Sequence, residues 1–328
     1  MAYSIDVIRA ARQRLESDKA DRASLHRERL QEAYMKVPRL REIDRLLQVS
    51  MAAAAQAAFA GGRDAVALME EAKEANLSLQ AEKDKLISEN FGEDWLLEGP
   101  VCRKCGGEGY IGSAMCDCLK AYCREEQVKE VSLLCAGDQS FGNFDLTYYS
   151  DRIDTRFGAS PRAVMEYNFN ICRTYGENFS TDSGNLLFIG GTGLGKTHLS
   201  GAIASAVAEK GCSVAYETAS HLFAKLEKHR FNPDEQSYRD VEKLNRCDLL
   251  IVDDLGTELP GNFVTAALYS LLNDRLLARK PMVISTNLTV EELTRRYNPQ
   301  IASRLQGSFN RLTFVGEDIR VQKSRGGR

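Results

Sequence analysis

The sequence predicts an α/β fold in which helices cover both faces of a parallel sheet, preceded by a helical region and a small cysteine-rich segment. From about residue 160 onward, short apolar strands alternate with segments that favour helix, the pattern of repeated βα units. A glycine-rich loop at 190–197 follows one strand directly and opens the next helix. A second strand, at 249–252, ends in two carboxylates. Alternating βα units produce a parallel sheet that is buried on both sides.

The composition excludes several classes of protein. The chain has 328 residues, of which 43% are hydrophobic and 27% charged, as is ordinary for a globular protein of about two domains. No window reaches the roughly 18 uninterrupted apolar residues of a membrane span, and the charged N-terminus is unlike a signal peptide. We therefore expect a cytoplasmic protein with no membrane partner. The net charge of −3 does not indicate nucleic-acid binding by the whole chain, although a local basic surface remains open.

The first part of the chain is predicted to be helical. It is rich in Ala, Leu, Glu, Lys and Arg and has no run of β-branched residues. Pro38 and the pair Gly61 and Gly62 divide it into three segments. The predicted helices span about 5–36, 39–60 and 64–90. This region is either a docking module for another protein or a helical bundle with no partner, and its residues do not decide between the two.

Four of the nine cysteines lie close together and predict a structural zinc site. Four thiolates in a short glycine-rich segment suit tetrahedral Zn²⁺, because glycine permits the tight turns that aim the sulfurs at one ion. A redox-active pair is the alternative, but a second pair nearby argues against it. Cys123 is an alternative fourth ligand in place of Cys118. The predicted zinc ligands are Cys102, Cys105, Cys116 and Cys118, and the predicted core thiols are Cys135, Cys172, Cys212 and Cys247.

The loop at 190–197 has the G-x-x-x-x-G-K-T pattern of a Walker A phosphate-binding loop, and it lies between a strand and a helix as that motif requires. Its glycines allow backbone N–H groups to approach phosphate, and the start of the following helix adds a favourable field for anions. Lys196 is expected to reach the β- and γ-phosphates of ATP. Thr197 is expected to place its hydroxyl on Mg²⁺.

Asp253 and Asp254 follow four apolar residues of a predicted buried strand, at the edge of the sheet where ligands bind in open α/β folds. Asp253 is expected to hold Mg²⁺ through water, and Asp254 to orient or deprotonate the attacking water. Asn287 follows another predicted strand. Its amide either positions that water or only caps the helix that begins near Val290.

Two arginines near the end of the chain, Arg304 and Arg320, are candidates for stabilising the transition state of phosphoryl transfer. In that reaction an arginine finger contributes roughly 10³–10⁵ in rate. Residue chemistry alone does not distinguish either of them from an ordinary surface arginine.

The motifs at 190–199, 249–258, 285–287 and 301–305 resemble those of the AAA+ ATPases of the bacterial helicase-loader family, the DnaC/DnaI type, and of the related transposition helper ATPases of the IstB type. They occur in the order and spacing of that family, over about 138–325. The resemblance implies an AAA+ αβα sandwich with a reduced or absent lid.

The resemblance also implies roles for individual residues. Asn287 falls on the sensor 1 position. Arg304 falls on the position of an arginine finger, which acts on the ATP of a neighbouring subunit. Arg320 falls on the sensor 2 position, which acts on the ATP of its own subunit. It places Phe144, in the segment 141–145, near the adenine. The predicted nucleotide-binding residues are Gly190, Gly191, Thr192, Gly193, Leu194, Gly195, Lys196, Thr197, His198 and Phe144.

The helix predicted at about 220–230 occupies the place where loaders of this family present a helix to single-stranded DNA. Lys225, Lys228 and Arg230, with the neighbouring His229, are the predicted phosphate contacts. A solvated helix face is the alternative.

The chain departs from many AAA+ proteins at Asp254, where they have Glu. The shorter acid is consistent with slow hydrolysis, as suits a switch. Glu258 lies nearby in the sequence and is an alternative base.

Three domains are therefore predicted. A helical, partner-docking region covers 1–98, a zinc knuckle with its following helix covers 99–137, and the AAA+ ATPase domain covers 138–328. The first boundary lies in the short linker at 90–100, and the second lies just ahead of the aromatic segment that precedes the ATPase core.

The resemblance implies an ATP-dependent loader of the hexameric replicative helicase. The helical region and zinc knuckle would hold a DnaB-type helicase, the AAA+ domain would bind single-stranded DNA, and self-association would form the ATP site. Slow hydrolysis, stimulated by a partner or by DNA, would time release. Some DnaI-type loaders have a zinc-binding N-terminal domain that docks on the helicase, whereas IstB-type proteins generally lack the knuckle. The alternatives are a transposition or mobile-element accessory ATPase and a non-hydrolysing nucleotide-binding adaptor.

Overall fold

The computed structural model describes residues 3–60, 63–92, 95–96, 99–134, 139–155 and 158–326. The chain divides into two compact units. One is Gln13–Cys118, and the other combines Met1–Arg12 with Leu119–Arg328. No helix in the described ranges has both the length and the apolar composition that crossing a membrane requires.

Three long helices precede the cysteine-rich segment, as the sequence predicts. They are α1 (Ile5–Lys36), α2 (Pro38–Ala60) and α3 (Arg63–Phe91). Helix α1 ends just before Pro38, since a proline disfavours helical backbone in the residue ahead of it, and Pro38 then opens α2. Helices α2 and α3 pack together, and Lys83 pairs with Asp44 across them at 2.8 Å. The predicted break at Gly61 and Gly62 lies outside the described residues.

The cysteine-rich segment forms a short antiparallel hairpin followed by a helix. Strand β1 (Tyr110–Ile111) pairs with β2 (Ala114–Met115), and α4 (Asp117–Leu134) begins directly afterwards. Gly112 makes the hairpin turn with φ of 61°, a left-handed conformation that glycine adopts without strain.

The second unit is built on a parallel sheet. Its strands are β3 (Asn185–Ile189), β4 (Val214–Thr218), β5 (Leu249–Leu255), β6 (Met282–Thr286) and β7 (Phe309–Thr313). They lie in the order β4-β5-β6-β3-β7, and every neighbouring pair is parallel. The strand carrying the phosphate loop therefore lies at the inside of the sheet, with the acid-bearing strand two positions away.

Helices cover both faces of this sheet. They are α5 (Pro161–Glu177), α6 (Lys196–Glu209), α7 (Ala219–Phe231), α8 (Glu235–Arg246), α9 (Asn262–Leu277), α10 (Val290–Arg296), α11 (Pro299–Ser308) and α12 (Ile319–Gly326). Along β3, Leu186 and Phe188 share a hydrophobic cluster with α5 and α6, whereas Leu187 belongs to a cluster with α7 and α9. This alternation is the period of a strand that is buried on both sides. The predicted αβα sandwich is confirmed.

Several elements of the second unit are not among those that the sequence predicts: α8, α11, β7 and α12. Helix α8 has one buried apolar residue, Leu244, so few apolar residues mark it in the sequence. Its clearest signal is the capping box between Asp234 and Ser237. Strand β7 lies at the edge of the sheet. Its first and fourth residues are buried and the other three are exposed, so buried and exposed residues do not strictly alternate along it.

Arg275 is a buried arginine that stabilises one side of the sandwich. Its side chain in α9 is among the largest that are fully buried, with 1% exposed. The guanidinium donates to the carbonyl oxygens of Leu244 and Pro281 at 2.8 Å each and also to that of Cys247. It therefore satisfies acceptors at the end of α8 and just ahead of β6.

We expect Arg275→Met to lower the free energy of unfolding by about 2–4 kcal/mol, because it removes the buried guanidinium that donates to three carbonyl groups. Urea denaturation followed by circular dichroism measures the loss. Arg173→Met is the control, since Arg173 is exposed on α5 and pairs with Glu177 on the same helix. Equal midpoints for the two variants would contradict a structural role for Arg275.

Candidate functional site

A cavity of about 260 Å³ lies where the glycine-rich loop meets the carboxyl ends of the strands. Strand β3 ends at Ile189 and α6 begins at Lys196, so the loop connects the two as predicted. The lining includes loop residues, one acid of the predicted pair, the predicted sensor residues and aromatic side chains from the segment ahead of α5. The residues that line the cavity include Lys196, Thr197, Asp254, Asn287, Arg320 and Phe144.

Two glycines of the loop are required by close contacts. A Cβ at Gly190 would overlap the carbonyl oxygen of Phe314. At Gly195, φ is 87°, and a Cβ would lie 2.8 Å from the Tyr149 hydroxyl oxygen. That hydroxyl donates to the carbonyl of Leu194 at 3.0 Å. The segment ahead of α5 therefore supports the loop from outside, and larger residues at either glycine would displace it.

Lys196 lies at the centre of the site with only 4% of its surface exposed. Its Nζ donates to the carbonyl oxygens of Gly190 at 2.8 Å and Gly191 at 2.7 Å, and to Oδ1 of Asn287 at 2.5 Å. Burial lowers the pKa of Lys196, although nearby Asp254 opposes the shift. The ammonium group is thus held by neutral oxygens, which the charged oxygens of a phosphate can replace with a gain in attraction.

The two acids at the end of β5 have different surroundings. Asp253 is 2% exposed, and its oxygens accept hydrogen bonds from the hydroxyls of Tyr216 and Ser285. Asp254 is half-buried and lines the cavity. Burial and the charge of Asp253 raise the pKa of Asp254, whereas Lys196 acts in the opposite direction. Motif reading assigned no role to Tyr216 or to Ser285, the first residue of the 285–287 motif, because their contacts with Asp253 are made between strands.

The predicted arginines occupy different places. Arg320, at the start of α12, lines the cavity with Lys196 and Asp254. Arg304, in α11, does not line it. Its guanidinium lies 4.3 Å over the ring centroid of Tyr269 and donates to Oδ1 of Asn273 at 3.2 Å. The structure therefore brings one of the two arginines to the cavity of its own chain.

Asp318 is a further contact that the sequence reading missed. Its carboxylate lies against Gly193, where a Cβ would overlap it, and accepts from the backbone N–H of Arg320 at 2.8 Å. The N–H of Ile319 donates to the carbonyl of Gly193 at 3.0 Å. These contacts fix the start of α12 against the phosphate loop.

Aromatic side chains form another wall of the cavity. Phe144 stacks on Phe169 with ring centroids 5.5 Å apart and meets the ring of His198 edge-on at 5.2 Å. A ring nitrogen of His198 lies 3.0 Å from the carbonyl oxygen of Ser140. Phe144 and His198 are therefore placed together, beside the loop and within the cavity lining.

The predicted DNA-contacting side chains lie on α7, and two of them are paired with acids. Lys225 contacts Glu217 at 2.5 Å, and Lys228 contacts Asp234 at 2.7 Å. Arg230 is exposed. Any phosphate that binds here has to compete with carboxylates for the two lysines.

Glu258, the alternative base, is 5% exposed and does not line the cavity. It forms an ion pair with Arg296 at 3.2 Å and accepts from the Tyr297 hydroxyl at 2.6 Å. It also accepts from the N–H of Gly256 at 2.9 Å. These bonds hold Glu258 against the chain beyond β5, and its carboxylate does not line the cavity that Asp254 reaches.

The sulfur atoms of Cys102, Cys105, Cys116 and Cys118 all lie within 4.8 Å of one another, so they could hold one metal ion. Cys123 is fully buried and is not part of this group.

Desolvation acts to raise the pKa of Cys105, but the hydrogen bond from the backbone N–H of Gly109 and contacts with the other thiols lower it to about 6. A low thiol pKa favours the thiolate that binds metal. Of the predicted core thiols, Cys172 and Cys247 are buried and Cys212 is half-buried, whereas Cys135 lies outside the described residues.

The chain is similar to several known proteins. Residues 168–323 match the sequence model of the family described as IstB-like ATP binding protein. The replicative helicase loader DnaC of Escherichia coli (strain K12) is 24% identical over 134 residues, which are 41% of this chain and 55% of DnaC. A putative insertion sequence ATP-binding protein of Sinorhizobium fredii is 32% identical over 120 residues, 37% of this chain and 39% of that protein.

A solved structure of a DnaC helicase loader also resembles this chain. Its TM-score is 0.44 at 20% identity, over 53% of this chain and 98% of that one. The match thus spans little more than half of the length of the E. coli relative. Residues 168–323, the stretch that matches the family described as IstB-like ATP binding protein, contain the phosphate loop, both acids, Asn287 and the two arginines.

Proposed function

We propose that this protein is an ATP-dependent loader of a hexameric replicative DNA helicase. The observation that carries the proposal is the buried Lys196 ammonium group, held at the phosphate loop beside Asn287 in a cavity that Asp254 and Arg320 also line. The similarity to a replicative helicase loader over 134 residues supports this choice among ATPase functions.

The residues of the cavity suit binding and hydrolysis of ATP. The loop and Lys196 bind the phosphates, while Phe144 and His198 lie beside the base. Thr197 and Asp253 are the residues that would hold Mg²⁺, which neutralises developing charge on the phosphates when it is bound. Asp254 orients the attacking water, since its carboxylate reaches the cavity and Asp253 is buried. Asn287 and Arg320 contact the terminal phosphate of the same chain's ATP.

Arg304 is proposed to act on the ATP of a neighbouring subunit. It is absent from the cavity lining of its own chain. Among the described residues, a stacking contact with Tyr269 and hydrogen bonds to polar atoms hold it. A site that requires this arginine is complete only after assembly. Self-association is therefore part of the proposal.

The helical N-terminal region and the cysteine cluster are proposed to hold the helicase. Zn²⁺ bound by the four cysteines would fold a segment whose hairpin has strands of only two residues each. Helix α7 is proposed to contact single-stranded DNA. The exposed Arg230 is available for this contact, whereas Lys225 and Lys228 must exchange Glu217 and Asp234 for phosphate.

A second candidate function is an accessory ATPase of transposition or of another mobile element. The IstB-like match and the insertion sequence relative favour it. A third, a nucleotide-binding adaptor that does not hydrolyse ATP, would leave Asp254 without its role. Identification of the bound partner separates the first two functions, and ATPase assays with and without single-stranded DNA separate them from the third.

We expect the wild-type protein to co-purify with a DnaB-type helicase in ATP and to release it in ADP. Lys196→Ala should abolish ATP binding, and helicase binding should then be the same in ATP and in ADP. The reason is that the change removes the only cation within hydrogen-bond distance of Gly190, Gly191 and Asn287 among the described residues. Lys210→Ala is the control at the other end of α6. Capture of a transposase and no helicase, or undiminished ATP binding by Lys196→Ala, would contradict the assignment.

We expect Arg304→Ala to bind ATP normally and to lose at least about 10²-fold in ATPase rate, as for loss of an arginine finger. Mixing it with Lys196→Ala should restore part of the activity, because a Lys196→Ala subunit supplies Arg304 to an ATP held by its neighbour. Steady-state ATPase assays across mixing ratios measure this. Wild-type activity in Arg304→Ala alone, or no recovery on mixing, would argue against action between subunits.

We expect the purified protein to contain one Zn²⁺ per chain and Cys105→Ala to lose it, because three thiolates leave the tetrahedral site incomplete. Metal analysis and a colorimetric chelator assay measure the content. Cys212→Ala, which removes a half-buried thiol outside the cluster, should retain zinc. We also expect Cys105→Ala to lose helicase binding and keep ATP binding. Zinc-free wild-type protein with full helicase binding would exclude the structural role.

A further inference from the structure

Asp253 is held on both sides by hydroxyl groups from the strands that flank it. The Tyr216 hydroxyl, on β4, donates to Oδ2 of Asp253 at 2.9 Å. The Ser285 hydroxyl, on β6, donates to Oδ1. Tyr216 is 3% exposed and Ser285 is completely buried. Each carboxylate oxygen keeps a further lone-pair direction, so the two bonds orient the carboxylate without using all of its acceptor capacity.

Ser285 also contacts the second acid. Its oxygen accepts a hydrogen bond from the backbone N–H of Asp254 at 2.9 Å. A hydroxyl has one hydrogen to donate and two lone pairs that accept. Ser285 therefore donates to Asp253 and accepts from Asp254, and one oxygen atom connects the two acids.

The backbone at Asp254 requires such a contact. Its φ is 56°, in the left-handed region, which costs a non-glycine residue roughly 1–2 kcal/mol. The register between β5 and β6 shifts between Val252 and Leu255, as in a β-bulge. Bulges near active sites redirect side chains. Here the irregularity separates the buried carboxylate of Asp253 from that of Asp254, which reaches the cavity.

We propose that Ser285 and Tyr216 are positioning residues for the acid pair, in which Ser285 fixes the bulge at Asp254 and both hydroxyls orient the Asp253 carboxylate. The inference rests on the proposed ATPase function, in which Asp253 holds Mg²⁺ and Asp254 orients water. Neither Tyr216 nor Ser285 lines the nucleotide cavity, so the effect of each hydroxyl is exerted through the acids.

The test compares Ser285→Ala and Tyr216→Phe with two matched controls. Ser200→Ala removes a hydroxyl that is equally buried and has no hydrogen-bond partner among the described residues. Tyr175→Phe removes a hydroxyl that donates to the carbonyl of Gly184 at 2.9 Å, on α5. Thermal unfolding and ATP binding in EDTA establish that each variant is folded and that its phosphate loop is intact.

The first measurement is hydrogen–deuterium exchange of nucleotide-free protein, with no metal required. Exchange at the amide of Asp254 should accelerate at least about tenfold in Ser285→Ala, which removes its acceptor, and stay unchanged in Tyr216→Phe and the controls. Unchanged exchange in Ser285→Ala would overturn the role of Ser285 at the bulge, whether or not the protein is an ATPase.

The second measurement is ATP affinity with Mg²⁺ and with EDTA. In Ser285→Ala and Tyr216→Phe, we expect Mg²⁺ to strengthen ATP binding much less than it does in the wild type. The ATP affinity measured in EDTA should stay within about twofold of the wild-type value. We expect kcat to fall by about 10–100-fold and KM to change much less. Ser285→Thr, which restores the hydroxyl, should recover the Mg²⁺ effect. The inference would be overturned if both variants kept the wild-type kcat and the wild-type Mg²⁺ dependence of ATP affinity. It would also be overturned if they lost ATP affinity equally with and without Mg²⁺.

The two proposals can fail separately. A wild-type protein that binds ATP and does not hydrolyse it would remove the ATPase function, while the exchange and Mg²⁺-dependent binding experiments would still decide the roles of Ser285 and Tyr216. Conversely, normal hydrolysis in both variants would leave the ATPase function in place and exclude the positioning roles.

Discussion

The nucleotide site depends on a buried ammonium group. Burying a charge is costly unless polar atoms surround it, and Lys196 is 4% exposed with three oxygen acceptors around Nζ. Two of these acceptors belong to the loop after β3 and the third to Asn287 after β6. They meet because β3 and β6 are parallel neighbours, with Ile189 opposite Thr286. The charge of Lys196 is therefore stabilised only when loop and sheet have folded together, and phosphate oxygens would stabilise it further.

The same parallel register brings the acids and their hydrogen-bond donors to one edge of the sheet. Strand β5 lies between β4 and β6, with Thr218 opposite Asp253. Tyr216 and Ser285, far apart in sequence, consequently reach the same carboxylate. A change in the register of either flanking strand would remove these contacts. The geometry of the site is thus a property of the sheet as much as of the motifs.

The difference between contiguous motifs and contacts made across the sheet explains how much of the site the sequence could predict. The phosphate loop and the acid pair are contiguous, and their chemistry is visible in a few adjacent residues, so the fold class and the candidate nucleotide residues follow from the sequence. Ser285 and Asp318 act through contacts with distant segments, which composition and spacing do not reveal. The pairing of Lys225 with Glu217 is likewise invisible, although the two lie only eight residues apart, since it depends on where β4 ends and α7 begins.

The role proposed for Arg304 would connect the chemistry of one chain to the assembly of several. Within a chain, Arg320 and Lys196 line the cavity, whereas the Arg304 guanidinium stacks on Tyr269. If a neighbour's Arg304 completes the site, ATP is hydrolysed quickly only in an assembled state, and hydrolysis then weakens the contact that the terminal phosphate made with that arginine. Assembly and hydrolysis would become linked through one guanidinium group. A protein that worked in this way would act as a timed switch for a partner, and its isolated chain would hydrolyse ATP slowly.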